Sequence, residues 1–226
     1  MEIEHIADDN ELDLDFAENP ENRCPVILLL DTSSSMSGQP IKELNQGIAL
    51  FKEEVQKDAQ ASLSVEIEII TFGGEVEVAQ EFVTIENFTP PTLQTKGQTP
   101  MGKAIECAIA ELNQRKETYR ANSIQYYRPW LFALTDGQPT DNWKPAAALL
   151  KAESDAGRLS FFAVGVGESA NMAILKELSP SNPPVRLKGL DFKAMFQWLS
   201  SSMKQVSSSQ IGEMVALPPV NWGVTT

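Results

Sequence analysis

Pro25-Val-Ile-Leu-Leu-Leu-Asp-Thr-Ser-Ser-Ser-Met-Ser-Gly38 is the stretch of this 226-residue sequence that decides its fold. Residues 25–30 are all apolar, as expected of a parallel strand that is buried on both faces. The run ends at Asp31, and hydroxyl side chains predominate from there to Gly38. Between Gly38 and Lys57 the apolar residues recur at helical spacing, at Ile41, Leu44, Ile48, Phe51 and Val55. The stretch therefore predicts a buried strand, a polar loop and an amphipathic helix in succession.

The rest of the chain repeats this alternation of strands and helices. Further strands are predicted over Leu63 to Phe72, Trp130 to Leu134, Leu159 to Val166 and Val185 to Leu187. Further helices are predicted over Met101 to Tyr119, Pro145 to Ala156, Met172 to Leu178 and from Phe192 onward. The pair Gly73-Gly74 indicates a turn into an antiparallel edge strand. We therefore expect an α/β fold with a doubly wound, Rossmann-like, mostly parallel six-stranded sheet. The expected strand order is 3-2-1-4-5-6, with one antiparallel edge strand and helices on both faces.

The acidic residues are concentrated at one end of the chain. Overall, 31 Asp and Glu residues face 18 Lys and Arg residues, which gives a net charge of −13. Residues 1–21 contain nine of the acids and no Lys or Arg, so the remaining 205 residues carry only −4. We therefore divide the chain into an acidic N-terminal extension (1–21), one globular domain (22–206) and a C-terminal extension that contains serines and prolines (207–226). The last of these is expected to lie over the surface.

The composition excludes several functional classes. A chain with this negative charge lacks the basic surface of a general nucleic-acid-binding protein. One histidine, His5, and two cysteines cannot supply a four-ligand structural zinc site, and a Ser–His–Asp or Cys–His catalytic system is not expected. Cys24 and Cys107 are expected to be separate, reduced residues. The sequence shows neither a secretory signal nor an apolar run of about 18 residues, so we expect a cytoplasmic protein.

Three separate segments carry oxygen-bearing side chains at the ends of predicted elements. They are Asp31 to Gly38 after the first strand, Gly97 to Gly102 before a helix, and Leu134 to Gly137 at the end of a core strand. Loops at the carboxyl ends of parallel strands converge where the strand order reverses. We therefore expect five side chains to meet in one crevice: Asp31, Ser33, Ser35, Thr99 and Asp136. Two carboxylates and three hydroxyls suit Mg²⁺, or Mn²⁺ or Ca²⁺, and leave room for a carboxylate from a protein partner.

These segments resemble the metal-ion-dependent adhesion site (MIDAS) of the von Willebrand factor A (vWA) domain. The pattern of that site, D-x-S-x-S followed by a distant Thr and then by Asp-Gly, is complete here, and the resemblance covers roughly residues 24–206. It implies that Ser33 and Ser35 bind the metal directly and that Thr99 does so when a ligand is engaged. It also implies that Asp31 and Asp136 act directly or through water. One departure is Ser34, where many members of the family have Gly.

In detail the sequence is similar to the bacterial tellurium-resistance TerY/YegL-type subfamily. The matching stretches are Asn19 to Pro25, Gln98 to Gly102, Tyr126 to Trp130 and Thr135 to Asp141. This resemblance implies a non-enzymatic, metal-dependent adaptor in stress-response or tellurite-resistance signalling. Its partners would include a kinase or phosphatase of the same gene cluster.

Other interpretations of these features remain open. The serine-rich segment after Asp31 is also typical of a capped helix N-terminus. An Asp that ends an apolar strand is also the nucleophile of haloacid-dehalogenase-type phosphatases, so the alternative function is a metal-dependent phosphohydrolase that uses Asp31. Ser33 stands, however, where such enzymes need a second Asp. Asp141 is interpreted as a helix cap.

Two further features have more than one interpretation. Tyr126, Tyr127 and Trp130 could form a partner-binding patch, but core packing is the preferred interpretation. In the acidic extension, residues 11–16 alternate acidic and apolar side chains. This segment could be a disordered solubilising arm or an added edge strand, or Asp13 or Asp15 could supply a carboxylate to the metal site of its own or a neighbouring chain.

Overall fold

The computed structural model describes residues 19–136, 138–179 and 181–225. The acidic stretch of residues 11–16, for which three interpretations were open, lies outside these residues. The described strands are β1 (Cys24–Asp31), β2 (Val65–Gly73), β3 (Glu75–Thr84), β4 (Trp130–Thr135), β5 (Ser160–Gly165), β6 (Val185–Leu187) and β7 (Gly223–Thr225). The described helices are α1 (Gln39–Val55), α2 (Ala59–Ser64), α3 (Met101–Ala121), α4 (Lys144–Asp155), α5 (Met172–Leu178) and α6 (Phe192–Ser207).

The strands form one mixed sheet in the order β3-β2-β1-β4-β5-β6-β7. Strands β2, β1, β4, β5 and β6 are parallel, whereas the edge strands β3 and β7 pair antiparallel to their neighbours. The predicted fold class and the predicted order of the first six strands are confirmed. The expected count of six strands falls short by one, because residues 223–225 add the seventh.

The seventh strand corrects the expectation that the C-terminal segment lies over the surface. Trp222 is buried, and its ring packs edge-on against that of Trp198 with centroids 5.7 Å apart. The next residues then pair with β6, so that Gly223 lies opposite Leu187. A Cβ atom at Gly223 would come within 2.1 Å of the Val185 side chain, so only glycine allows this close approach.

Strand β1 separates two hydrophobic cores because its successive side chains point to opposite faces of the sheet. Val26, Leu28 and Leu30 face a core built with α1 and α6. Ile27 and Leu29 face a second core built with α3, α4 and α5. All eight residues of β1 are buried, as its uninterrupted apolar run predicts. The first core is bounded by α6, and the side chain of Asp191 caps the N-terminus of this helix.

Two glutamates of β2 are buried beneath α3, although alternation of acidic and apolar residues is typical of a strand with one exposed face. Glu66 forms ion pairs with Arg23 at 3.0 Å and with Arg115 at 2.8 Å, and it accepts a hydrogen bond from the hydroxyl of Tyr119. Glu68 is also buried, and its Oε2 has no hydrogen-bond partner among the described residues. The buried charge of Glu66 is therefore balanced, whereas among the described residues Glu68 forms no ion pair.

Strand order reverses at β1, because the chain builds outward from this strand first through β2 and later through β4. The loops after β1 and β4 consequently leave the same edge of the sheet on neighbouring strands. Cys24 is buried and Cys107 is half-buried, and both are free thiols. Among the described helices, none combines the length and apolar character that crossing a membrane requires.

Candidate metal centre

Asp31 is the last residue of β1, and its carboxylate is held between two neighbouring segments. Its Oδ1 accepts a hydrogen bond from the backbone N–H of Ser33 at 2.8 Å, and its Oδ2 accepts one from the hydroxyl of Thr135 at 2.6 Å. The residue is fully buried. Burial raises the pKa of Asp31 above its usual value, hydrogen bonds from Ser33 and Thr135 oppose this rise, and the carboxylate of Asp136 adds to it. A buried carboxylate that is hydrogen-bonded to neutral donors and feels the charge of a second carboxylate favours a nearby cation.

The two predicted serine ligands lie side by side after β1. The Oγ atoms of Ser33 and Ser35 are 2.9 Å apart, so that one hydroxyl donates to the other. Ser33 is buried, whereas Ser35 is exposed. The segment Ser34–Met36 forms a single turn of 3₁₀ helix, and the side chain of Ser33 makes no capping hydrogen bond to it. The hydroxyl of Ser33 therefore does not serve as a helix cap, which was one interpretation of this sequence.

Thr99 reaches the same region on a long loop that is fixed to the segment after β1. The backbone N–H of Ser34 donates to the carbonyl of Gly97 at 3.1 Å, and that of Lys96 donates to the carbonyl of Thr32 at 2.8 Å. Thr99 itself is buried. Among the hydrogen bonds of the described residues, none joins its hydroxyl to the other four predicted ligands. Its placement therefore rests on backbone contacts of its loop.

Close backbone packing explains the glycines at this point. Gly97 has a φ of +62°, and a Cβ atom there would lie 2.5 Å from the Cα of Gly74. A Cβ atom at Gly73 would lie 2.5 Å from the carbonyl oxygen of Thr32. Since both collisions are with backbone atoms, no side-chain movement would relieve them. Glycines thus allow the β2–β3 turn, the Thr99 loop and the segment after Asp31 to lie against one another.

Asp136 follows β4 directly and is buried. Its Oδ1 accepts a hydrogen bond from the backbone N–H of Gln138 at 3.2 Å, and its backbone carbonyl accepts one from the N–H of Asn171 at 2.9 Å. Its carboxylate lies close enough to Asp31 to influence the pKa of that residue. The structure thus connects Asp31, Ser33 and Ser35 through hydrogen bonds, places Asp136 directly after the neighbouring strand and brings the loop of Thr99 beside them.

Thr135 and Thr140 were not identified from the sequence. Thr135 reaches Asp31 because register pairing places Leu134 opposite Leu30, so that the next residues of β4 and β1 are also neighbours. Thr140 holds Thr99 in both directions: its Oγ1 accepts from the N–H of Thr99 at 3.1 Å, and its own N–H donates to the carbonyl of Thr99 at 2.9 Å. Both threonines lie in the matching stretch Thr135 to Asp141, close to Asp136, but the sequence did not indicate their contacts.

The prediction that Asp141 is a helix cap is confirmed, although the helix it caps is distant in sequence. Its two carboxylate oxygens accept hydrogen bonds from the backbone N–H groups of Gly102 and Lys103, each at 3.0 Å. These N–H groups belong to the first turn of α3, where an acceptor is otherwise missing. Asp141 therefore fixes the start of α3, immediately after Thr99.

The available donors suit a hard cation and little else. Among the described residues, no group of three or more His, Cys, Asp or Glu side chains is placed to hold a metal ion. Any metal here would depend on hydroxyl oxygens in addition to the two carboxylates. An all-oxygen donor set suits Mg²⁺, Mn²⁺ or Ca²⁺ rather than softer metals. The buried, uncompensated carboxylate of Asp31 is the feature that fits such an ion.

The fold is shared with solved structures of low sequence identity. The open form of the pilus adhesin SpaC from Lactobacillus rhamnosus GG aligns with a TM-score of 0.66 and 14% identity, over 83% of this chain and 31% of the adhesin chain. A von Willebrand factor type A protein from Catenulispora acidiphila aligns with a TM-score of 0.61 and 14% identity, over 81% of this chain and 43% of that one. This chain thus spans less than half the length of either protein.

A third solved structure is that of the manganese-loaded TRAP protein of Plasmodium vivax. It aligns with a TM-score of 0.53 and 16% identity, over 77% of this chain and 72% of the TRAP chain. At these identities the likenesses show the fold alone. Among curated proteins, none matches this sequence.

The sequence profile of the von Willebrand factor type A domain matches residues 26–195, which include most of β1 and the loops that carry Asp31, Thr99 and Asp136. The sheet order, the reversal at β1 and the polar segments at its carboxyl edge agree with that match. The chain therefore belongs to the von Willebrand factor type A domain family.

Proposed function

We propose that this protein is a metal-dependent protein-binding module. Its site would bind one divalent cation through Ser33, Ser35, Thr99, Asp31 and Asp136, the last two directly or through water. The cation would supply a positive charge at the mouth of the crevice, where an acidic side chain of a partner protein binds. The binding domain would comprise residues 22–206, preceded by the extension 1–21, and the segment 207–226 would add β7 to its sheet.

One observation carries this proposal. Asp31 is buried, the charge of Asp136 contributes to the raised pKa of its carboxylate, and the paired hydroxyls of Ser33 and Ser35 lie at the same edge of the sheet. Two carboxylates in a buried setting repel each other unless a cation or proton compensates them. A bound divalent ion would remove that repulsion, and the exposed Ser35 leaves the ion open to a partner on one side.

We propose Mg²⁺ as the resident ion, with Mn²⁺ or Ca²⁺ as alternatives. All the donors are oxygens, and Mg²⁺ commonly keeps positions for water or for external carboxylates when the protein supplies few ligands. The manganese-loaded state of the Plasmodium vivax TRAP protein, which shares the fold, supports a divalent ion of this type.

We further propose an adaptor role in the cytoplasm, within bacterial stress or tellurite-resistance signalling. The support is the resemblance of residues 19–25, 98–102, 126–130 and 135–141 to the TerY/YegL-type subfamily. The partner would be an acidic surface of a protein such as a kinase or phosphatase of the same gene cluster. The free thiols of Cys24 and Cys107 are compatible with a reducing compartment.

A binding role fits Asp31 better than a catalytic role does. Both of its carboxylate oxygens already accept hydrogen bonds, and the residue is fully buried, whereas a nucleophile must reach the phosphorus atom of its substrate. Asp31 therefore serves to position the Ser33 loop and to supply negative charge.

The test is capture of partner proteins by the immobilised full chain from extracts of the native cells, quantified by mass spectrometry. Capture should require added Mg²⁺, disappear in EDTA and return when Mg²⁺ is restored. Ser33→Ala should abolish it, whereas Ser34→Ala, which changes an exposed neighbour in the same loop, should retain it. Partners that remain bound in EDTA, or equal capture by Ser33→Ala, would refute the proposal. Asp31-dependent hydrolysis of phosphorylated compounds would support the enzyme instead.

A further inference from the structure

A wide groove of about 1070 Å³ lies at the opposite end of the sheet from Asp31. It includes Trp130 and Ser160, the first residues of β4 and β5, whereas Asp31 is the last residue of β1. Its walls are the end of α3 with the loop that follows it, the start of β5, and residues 206–217. The groove is therefore separate from the candidate metal centre.

Four basic side chains line this groove: Lys116, Arg120, Arg128 and Arg158. Arg158 is paired with Glu153 through two hydrogen bonds of 2.8 Å. Arg120 and Arg128 are exposed and form no ion pair with any described residue. Two unpaired positive charges, in a groove with Glu213 as its only acidic lining residue among those described, favour an anionic occupant.

The surroundings of Lys116 also carry an excess of positive charge. It is buried, and its Nζ donates a hydrogen bond to Asn113 rather than to a carboxylate. Burial lowers the pKa of Lys116, Glu153 opposes this, and the charges of Arg120 and Arg158 lower it further. An occupant that brings negative charge would relieve this repulsion.

The groove is also apolar along part of its length. Trp130 and Phe162 form one wall, with ring centroids 4.5 Å apart. On the other wall Ile211 is 41% exposed and Met214 is 97% exposed. Large apolar side chains left exposed beside arginines indicate a surface for a segment that carries both acidic and apolar residues.

The chain itself enters the domain beside this groove. The N–H of Arg23 donates to the carbonyl of Gln125 at 2.9 Å, and the N–H of Tyr127 donates to the carbonyl of Arg23 at 2.8 Å. The hydroxyl of Tyr127 donates in turn to the carbonyls of Ser207 and Ser209, in the opposite wall. Arg23, near the start of the described chain, therefore lies beside the groove.

We propose that residues 11–16, Glu-Leu-Asp-Leu-Asp-Phe, bind in this groove of their own chain. The segment alternates three carboxylates with Leu12, Leu14 and Phe16. Its carboxylates complement the arginines of the groove, and its apolar side chains complement the neighbouring aromatic rings. Residues 1–18 contain eight acidic residues and no Lys or Arg. Phe16 precedes Asn19 by only three residues, or about 10 Å of extended chain. The carbonyl of Asn19 accepts a hydrogen bond from the guanidinium of Arg23, whose backbone is bonded to Gln125 and Tyr127 of the groove.

The metal centre of the same chain lies at a greater distance from Asn19. Asn19 lies at the amino end of β2, where its Nδ2 donates to the carbonyl of Leu63. β1 alone separates that end of the sheet from Asp31 by about 23 Å. The backbone from Asn19 to Asp15 spans at most about 14 Å, so that carboxylate does not reach the site, whereas Asp13, at about 21 Å plus its side chain, lies at the limit of reach.

The test is photo-crosslinking of the full chain with p-benzoylphenylalanine in place of Phe16, in the presence of EDTA. We expect crosslinks within one chain to the groove segments 123–130 and 211–217, mapped by mass spectrometry. The double variant Arg120→Glu, Arg128→Glu should lower their yield at least about fivefold, as should a rise in salt from about 50 mM to about 500 mM. The variant Lys176→Glu, Lys193→Glu makes the same charge change at exposed sites elsewhere and should leave the yield unchanged.

Three results would overturn this inference. They are an equal crosslink yield in the Arg120→Glu, Arg128→Glu variant, crosslinks to the loops of Ser33 and Thr99, and crosslinks mainly between two chains. Because the test is run without metal, its outcome is independent of whether the proposed metal-dependent function is correct.

Discussion

The hydroxyl of Thr135 donates a hydrogen bond to Oδ2 of Asp31 across 2.6 Å and so joins the last residues of two neighbouring parallel strands. Asp136 is the next residue in the chain after Thr135. This single contact therefore links the first and third segments of the candidate site and stabilises the carboxylate of Asp31 in a buried position.

Thr135→Val removes that donor while it keeps the size and shape of the side chain. A buried polar group that loses its partner costs about 1–3 kcal/mol, so the free energy of unfolding should fall by that amount. Urea unfolding in EDTA measures it. Thr135→Ser, which keeps a hydroxyl, should retain most of the stability, and equal losses in the two variants would show that the hydrogen bond is not responsible.

Divalent metal should stabilise the wild-type chain and not Asp31→Asn. An ion that binds only the folded state at about 100 times its Kd raises the free energy of unfolding by about 2.7 kcal/mol. Asparagine retains acceptor geometry for one of the two hydrogen bonds but lacks the charge that the ion requires. Thermal unfolding with and without Mg²⁺ compares the two chains. In EDTA, Asp31→Asn should be at least as stable as wild type, because a buried charge has been removed. Equal Mg²⁺ stabilisation of both chains would contradict a role for Asp31.

Gly97→Ala should damage the site more than Gly167→Ala. Both glycines have positive φ values, +62° and +80°, so alanine is strained by about 1 kcal/mol at each. A Cβ atom at Gly97 also collides with the backbone of Gly74, whereas one at Gly167 meets nothing within 4 Å. Loss of Mg²⁺-dependent stabilisation should therefore be specific to Gly97→Ala. Similar behaviour of the two variants would mean that the three loops need not pack so closely.

Glu68 should make the protein less stable as the pH rises. Burial raises the pKa of Glu68 from 4.5 to about 8, with a further contribution from Glu111. Between these two values the folded state binds more protons than the unfolded state, so the free energy of unfolding decreases with pH and levels off above pH 8. Across that window the loss should be a few kcal/mol, at about 1.4 kcal/mol per pH unit.

Glu68→Gln should flatten this dependence and stabilise the chain at pH 8, as measured by urea unfolding at a series of pH values. Glu81→Gln, which changes an exposed neighbour on β3, is the matched control and should keep the slope. A slope that persists in Glu68→Gln would assign the pH dependence to another group.

The fold was readable from the sequence where local pattern and tertiary environment agree. The apolar run of residues 25–30 predicts a strand buried on both faces, and β1 is buried throughout. The order of six strands followed from alternation of strands and helices around it. β7 was missed because three residues, Gly223–Thr225, carry no periodic pattern, and their pairing depends on the burial of the neighbouring Trp222.

Within β2 and the candidate site, the features that the sequence did not predict depend on contacts between residues that are distant in the chain. The alternation of Glu66 and Glu68 with apolar residues resembles that of a half-exposed strand. Arg23 and Arg115, distant in sequence, instead balance the buried charge of Glu66. The contact of Thr135 with Asp31 likewise depends on the register between β1 and β4, which no local pattern specifies.

Titration of the full chain with Mn²⁺, followed by electron paramagnetic resonance of the free ion, tests the proposed metal centre most directly. Ser33 and Ser34 are neighbours in one loop, but only the buried Ser33 lies against Asp31 and Ser35. Wild type and Ser34→Ala should each bind one Mn²⁺, Mg²⁺ should displace it, and Ser33→Ala should bind at least about tenfold more weakly, a loss of about 1.4 kcal/mol. Absence of Mn²⁺ binding by the wild-type chain, or equal binding by Ser33→Ala, would contradict a metal centre at this edge of the sheet.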